Sequence, residues 1–380
     1  MDLNGYRQRI DEVDSELLRL FIERMEIAAG IAAYKRENDL PVLDQRRERE
    51  KLMKIAAETP EELRDYALIL YALILELSRS SQNRLLGVKS ELTEAITTAL
   101  ESTSPLFPSS AEVACQGVEG SYQQQACERL FKRPNIHYFN SFAAVFTAID
   151  EGVCRYGVIP VENSTAGSVN AVYDLMRRHH FHIVRSARLK IDHNLLAKPG
   201  VKLEEIKEIY SHEQAINQCA GFLSKLPGVR VIACENTAIA AKMVAESPRR
   251  DIAALSSRVC MRLYNLEALA EAVQDQGNNH TRFICITKAL EIYPGADRTS
   301  LMLTLPHEAG ALYKLLSRFY ALGINMNKLE SRPMPERNFE FMFYFDLETS
   351  VYAPEFLQLM AELPDLCESL SYLGSYGEVI

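Results

Sequence analysis

Residues 6 to 39, YRQRIDEVDSELLRLFIERMEIAAGIAAYKREND, contain no proline, and Pro41 is the first to follow. Ile10, Val13, Leu17, Leu20 and Phe21 recur at helical spacing, which predicts one long amphipathic helix. A small domain cannot cover so long an apolar stripe alone, so helices of a second chain are expected to pack on it. Extending the stripe brings Arg24 onto its face, and Lys35, eleven residues on, lies about 20° away around the axis. Two cations on an inner face are costly unless an anion meets them.

The next helix is expected near Asp44, with Asp44, Arg47 and Glu48 one turn apart on one face. A third, RDYALILYALILELSRSSQN, is apolar nearly all round and so reads as buried, yet it carries Ser78 and Gln82 at i, i+4. Polar groups thus converge from three helices. Taken alone, DQRREREK would be an ordinary solvated face.

The net charge of −9 argues against nucleic acid or an anionic membrane as the main partner. An anionic substrate is then expected to be held by local Arg and Lys clusters. The longest apolar run, Ala67 to Leu75, is far short of the roughly 20 residues that span a bilayer, and the N-terminus lacks the pattern of a signal peptide. Eight cysteines without a C-x-x-C pair suggest buried thiols in a reducing, cytoplasmic setting. HHFH at 179 to 182 lacks a completing ligand set, so no metal is expected.

At 380 residues the chain should hold two or three domains. A helical block spans 1–100, and ESTSPLFPSS reads as a linker. From 111 to 290, strands such as YGVIPVE alternate with helical patterns, the signature of an α/β domain, expected to be two-lobed. After a break at YPGADRTS, residues 298–380 read in the order βαββαβ, a ferredoxin-like α+β module. In the middle block three strands run into polar helix starts, at GVEGS, VENS and SHEQA. A fourth polar strand end, GNNHTRFICIT, places Thr281 and Arg282 at a strand mouth, where α/β domains bind ligands. Each segment singly could be ordinary capping. No G-x-G-x-x-G follows a strand, so no dinucleotide is expected and no cofactor is implied.

Arg7, Arg24, Lys35, Asp44, Arg47, Glu48, Ser78 and Gln82, in that order and helical setting, resemble the all-helical chorismate mutase family over residues 4 to 86. The resemblance implies a dimer with sites built from both chains. Arg24 and the other chain's Arg7 would grip the two carboxylates, assisted by Ser78 and Arg47. Lys35 and Gln82 would donate to the ether oxygen, and Glu48 beside Asp44 would receive the ring hydroxyl. VENS, SHEQA and HTRF resemble prephenate dehydratase over about 111 to 288. Val118 and Glu213 stand where that family usually has proline. The resemblance implies that Thr281 donates to the departing hydroxyl and that Asn163 and Gln218 orient the substrate, with Ser121, Ser164, His212 and Arg282 as further substrate contacts. Gly310-Ala311-Leu312 and Glu330-Ser331-Arg332-Pro333 resemble the regulatory ACT module of such enzymes, which implies phenylalanine as an allosteric inhibitor. Together the blocks resemble the bifunctional chorismate mutase/prephenate dehydratase family, with chorismate and prephenate as substrates and a homodimer or tetramer as the assembly. The alternative is a phenylalanine-sensing protein whose catalytic crevices have decayed.

Overall fold

Helix propensity and the absence of proline carry α1 from Leu3 to Glu37, with the Asp2 side chain accepting from Gly5 N at 2.8 Å as its N-cap. In this computed structural model, residues 2–38, 40–86, 90–334 and 340–380 are described. α2 (Gln45–Glu58) starts where Asp44 caps it, α3 runs Arg64–Leu86 and α4 runs Glu91–Ser102. The chain divides into two compact units: residues 1–95 with 354–367, and 96–353 with 368–380. None of the described helices is long and apolar enough to cross a membrane.

In the first unit α1 and α2 each pack against α3. Of the 35 residues in α1 only Ala28 and Ala32 are buried. The reading of α3 as buried all round is corrected here: Tyr66, Ile69 and Leu70 are exposed, whereas its buried residues are Glu76, Ser78, Ser80 and Gln82. The physical reason is that, among the described residues, nothing covers that apolar side, while the polar side faces the other helices. The helix Pro354–Leu366 belongs to this unit, and its Glu362 accepts from Ser80 Oγ at 2.6 Å.

The second unit is built on three sheets. Its first strands are β1 (Glu112–Gln116), β2 (Asn135–Phe139), β3 (Tyr156–Asn163), β4 (Gly167–Ser168) and β5 (His182–Lys190). Then come β6 (Asn194–Ala197), β7 (Glu208–Ser211), β8 (Arg230–Ala233), β9 (Ile252–Ser256), β10 (Glu267–Ala270) and β11 (His280–Thr287). The last are β12 (Arg298–Thr304), β13 (Asn325–Pro333), β14 (Phe341–Glu348), β15 (Ser369–Tyr376) and β16 (Glu378–Val379). The first sheet has the order β16-β5-β11-β3-β1-β2 with β4 beside β3, the second β10-β6-β9-β7-β8, and the third β13-β14-β12-β15. These are an α/β pair of lobes followed by an antiparallel sheet.

The alternation in FICIT is realised as two cores. Phe283 and Cys285 join Val113, Phe131 and Tyr156 on one face of the first sheet. Ile284 and Ile286 join Val161, Met302, Tyr344 and Tyr376 on the other, so the third sheet shares a core with the first. The linker reading of 101–110 changes accordingly. α4 continues to Ser102, and the Phe107 ring lies 4.9 Å from those of Phe131 and Tyr293, beneath the Arg185 guanidinium. Tyr293, in the expected break, is buried and donates to Glu291 at 2.7 Å. Pro and Ser mark irregular backbone, which packed aromatics can still anchor.

Candidate active sites

α1, α2 and α3 enclose a pocket of about 360 Å³. Arg24 and Lys35 reach it from α1, Asp44, Arg47 and Glu48 from the start of α2, and Ser78 and Gln82 from α3. The helical count that put Arg24 and Lys35 on one face is matched by this convergence. Lys35 Nζ donates to Val42 O at 2.6 Å, which brings the chain after α1 back over the pocket. Gln82 Nε2 meets Ser78 Oγ only at 3.5 Å, the outer limit of a hydrogen bond, leaving its N–H groups available to a ligand. Asp44 works as a helix cap, accepting from Arg47 N at 3.0 Å. Arg7 is exposed and lies outside this pocket. Sequence reading missed Arg79, whose guanidinium holds the Glu48 carboxylate. Arg79 follows Ser78 directly, so counting along one helix turns it about 100° away, and only the approach of α2 shows its role.

A second cavity, of about 520 Å³, opens between the first two sheets. Asn163 at the end of β3 and Thr281 at the start of β11 are register partners, and both line it. Gln218 and His212 enter from the second lobe. Asn163 Nδ2 donates to Thr281 Oγ1 at 2.9 Å and to Asn279 Oδ1 at 2.8 Å. Asn279 Nδ2 donates in turn to Gln218 Oε1 at 3.0 Å, and His193 Nε2 meets the same oxygen at 3.0 Å. Gln218 Nε2 completes the set by donating to Thr165 Oγ1 at 2.7 Å. Because Thr281 Oγ1 already accepts a hydrogen bond, its own proton remains free to be donated into the cavity. Burial holds the His193 imidazole below its ordinary range, so its Nε2 proton sits on a neutral ring facing Gln218.

Asn279, Thr165 and His193 were missed. Asn279 stands in the polar GNN stretch before β11, and its partners Asn163 and Gln218 meet it only after folding. Ser121 and His212 line the cavity but also cap helices, accepting from Gln124 N and Gln214 N at 3.2 Å each. Ser164 does not enter: its Oγ donates to Asn278 O at 2.8 Å and accepts from His280 N at 2.9 Å, clasping two loops. Arg282 is also corrected as a substrate contact. Strand alternation turns it to the opposite face from Thr281, where Glu162 Oε1 lies 2.8 Å from its Nε and Asp346 takes Nη2.

The expected Arg and Lys cluster exists in the helical pocket but not here, since no Lys or Arg is among the lining residues. The helices Tyr122–Leu130 and Thr237–Glu246 instead start at this cavity, from Ser121 and Asn236, and offer backbone N–H donors. Val118 packs against the second lobe's core, and Glu213 lines an adjoining cavity with Gln214 and Gln218. Among the described residues no three His, Cys, Asp or Glu side chains group as metal ligands, and all eight cysteines are free thiols.

In the third sheet's region Gly310, at φ +86°, caps the helix Ala311–Ala321. Ala311 and Leu312 line a cavity of about 160 Å³ with Leu305, Phe341 and Phe343. Glu330, Ser331, Arg332 and Pro333 do not line it. Glu330 accepts from Ser168 Oγ at 2.7 Å, and Arg332 pairs with Asp174 at 3.2 Å. Ser331 is exposed on the other side of β13, as alternation requires.

A cationic helical pocket and an amide- and hydroxyl-lined cavity between two lobes define a two-site enzyme acting on small polar substrates. Residues 6–83 match the family described as chorismate mutase type II and residues 113–290 the one described as prephenate dehydratase. The bifunctional chorismate mutase/prephenate dehydratase of Escherichia coli K12 is 31% identical, covering 98% of this chain and 96% of its own. That of Aquifex aeolicus is 32% identical, covering 100% and 99%. The crystal structure of prephenate dehydratase from Arthrobacter aurescens in complex with L-Phe superposes with a TM-score of 0.64 at 27% identity, over 70% of this chain and 89% of that one. The chain belongs to the bifunctional chorismate mutase/prephenate dehydratase family, and it is both an isomerase and a carbon–oxygen lyase.

Proposed function

We propose that the two pockets divide the two reactions and that Thr281 carries the second. In the helical pocket, chorismate rearranges to prephenate without nucleophile or obligatory proton transfer, so catalysis consists of holding the folded substrate and stabilising charge on the breaking ether oxygen. Arg24, Ser78 and Arg47 grip carboxylate oxygens, Lys35 and Gln82 donate to the ether oxygen, and Glu48 receives the ring hydroxyl. Arg7 serves the pocket of a second protomer. The dimer is supported by α1, where Ile10, Val13 and Leu17 of the apolar stripe are exposed in one chain.

In the cavity between the lobes prephenate becomes phenylpyruvate. The bond to the ring carboxylate breaks and releases carbon dioxide, its electron pair aromatises the ring, and the ring C–O bond breaks as hydroxide takes up a proton. Thr281 donates a hydrogen bond to that departing oxygen, with Asn163 and Gln218 orienting the substrate. Backbone N–H groups at helices Tyr122–Leu130 and Thr237–Glu246 take the carboxylates. The single observation that supports this best is the Asn163 to Thr281 hydrogen bond, which leaves the Thr281 proton as the donor.

Residues 298–376 run in the order βαββαβ with the sheet order β13-β14-β12-β15, before β16 joins the first sheet, and this supports reading them as a ferredoxin-like ACT module. Phenylalanine would act there, its ring entering the cavity walled by Leu312, Phe341 and Phe343. Eight free thiols, six of them buried, support a reducing, cytoplasmic setting. Intact polar sets in both pockets argue against a decayed sensor.

The test follows prephenate and phenylpyruvate separately from chorismate. In Thr281→Ala, prephenate is expected to accumulate while phenylpyruvate formation falls roughly 10²-fold or more. Phenylpyruvate appearing at the parental rate would remove Thr281 from the mechanism.

A further inference from the structure

Where β3 ends and β11 begins, the paired strands carry two chemistries on two faces. Asn163 and Thr281 turn toward the cavity, whereas the next register pair, Glu162 and Arg282, turns to the third sheet. Arg282 is 4% exposed, so its charge depends on its partners. Those partners belong to different sheets: Glu162 is its neighbour on β3, and Asp346 lies on β14. Asp346 is itself oriented by Ser300 Oγ of β12. Lys328 of β13 reaches Glu162 at 2.7 Å and Ser168 Oγ at 2.8 Å. A register shift in the β11 to β3 pairing falls directly after Arg282, so the hydrogen-bond ladder is interrupted beside the residues that must be placed.

We propose that Arg282 and Asp346 are a positioning pair by which the third sheet sets the placement of Thr281 and Asn163. Parting the pair would leave the buried guanidinium with only the partly exposed Glu162 carboxylate, so Arg282 follows the buried Asp346 when that sheet shifts. Thr281 adjoins Arg282 and Asn163 adjoins Glu162, so a shift of the charged pair moves both cavity residues. The third sheet is thus part of the dehydratase site's alignment, and an effector bound to it has a direct route to turnover. This rests on the reading of Thr281 and Asn163 as catalytic residues.

The experiment compares Asp346→Ala, Asp346→Asn and Thr281→Ala in the full chain, with mutase turnover and the thermal transition as internal checks of folding. Asp346→Ala is expected to lower dehydratase kcat by about 10-fold or more with little change in KM, the signature of misplacement. Asp346→Asn, which can still accept from Arg282, is expected to recover most of the loss. Parental kcat in a folded Asp346→Ala chain overturns the proposal, and so does an equal loss in the Ala and Asn variants. If Asp346→Ala fails to fold, Lys328→Met replaces it by cutting the same sheet's hold on Glu162: a fall in kcat of about 3-fold or more supports the pair, and parental kcat rejects it. Parental activity in Thr281→Ala would instead mark failure of the catalytic reading itself.

Discussion

Gln82 donates from an amide, which carries its protons at any ordinary pH, whereas a carboxyl donates only when protonated. Gln82→Glu should therefore confine good mutase activity to acidic solution, below the pKa of the new carboxyl. A pH profile that tracks the parent's throughout would show that Gln82 is not the donor. His193 makes a second prediction. Burial holds both His193 and His182 below the ordinary imidazole value of 6.5. Between that lowered value and 6.5 the unfolded chain binds more protons than the folded one. Their contribution to stability is then fully present above 6.5 and falls as pH drops toward the folded value. The urea midpoint should decline between about pH 7.5 and about pH 5.5, and His193→Asn should decline less steeply. Equal slopes in parent and variant would mean that His193 does not titrate in this way.

At the scale of elements, β15 and β5 come so close that one glycine decides whether they can pack. Gly374 has φ +128°, and a Cβ there would stand 2.3 Å from Ile183 O. The Cβ position is fixed by the backbone that carries it and the oxygen is itself backbone, so neither can turn aside. Gly374→Ala should cost at least about 2 kcal/mol in dehydratase-unit stability, read by chemical denaturation, with mutase turnover kept. An unchanged transition would contradict the close approach. The same junction explains why the tail matters: β16 adds to the first sheet beside β5, and the nearly buried Glu378 carboxylate lies 3.0 Å from Arg188 and 3.4 Å from Arg298.

For the whole molecule, the shared core makes truncation a sharper test than the chain's blocks suggest. Ending the chain after Leu290 would remove Met302, Tyr344 and Tyr376 from the core that holds Ile284 and Ile286, and would strip Arg282 of Asp346. Deleting one partner of a buried ion pair alone costs about 3–5 kcal/mol. Dehydratase activity should be lost through unfolding, while mutase turnover survives in part. A truncated chain with a parental dehydratase rate would show that the third sheet is dispensable. Sedimentation should find dimers held by α1 and α3, and Ile10→Glu with Leu17→Glu should shift them to monomers and reduce mutase activity. Full activity in a monomer would refute the shared site.

Local periodicity made much of this legible in sequence. The span of α1, the start of α2 near Asp44, the shared face of Arg24 and Lys35, the i, i+4 pair of Ser78 and Gln82, and the place of Thr281 at a strand mouth all follow from spacing along one element. Resemblance to known families added roles to those positions. Other features depended on which element arrives from far along the chain. Arg79 meets Glu48 only because α2 crosses α3, and Asn279 bridges Asn163 and Gln218 only because two lobes close on it. Arg282, adjacent to Thr281, could not be told from a substrate contact until β14 was seen to bring Asp346 against it. Alternation states that neighbouring residues face opposite ways, but what waits on each side is a property of the tertiary structure, because a buried charge is meaningful only with its partner.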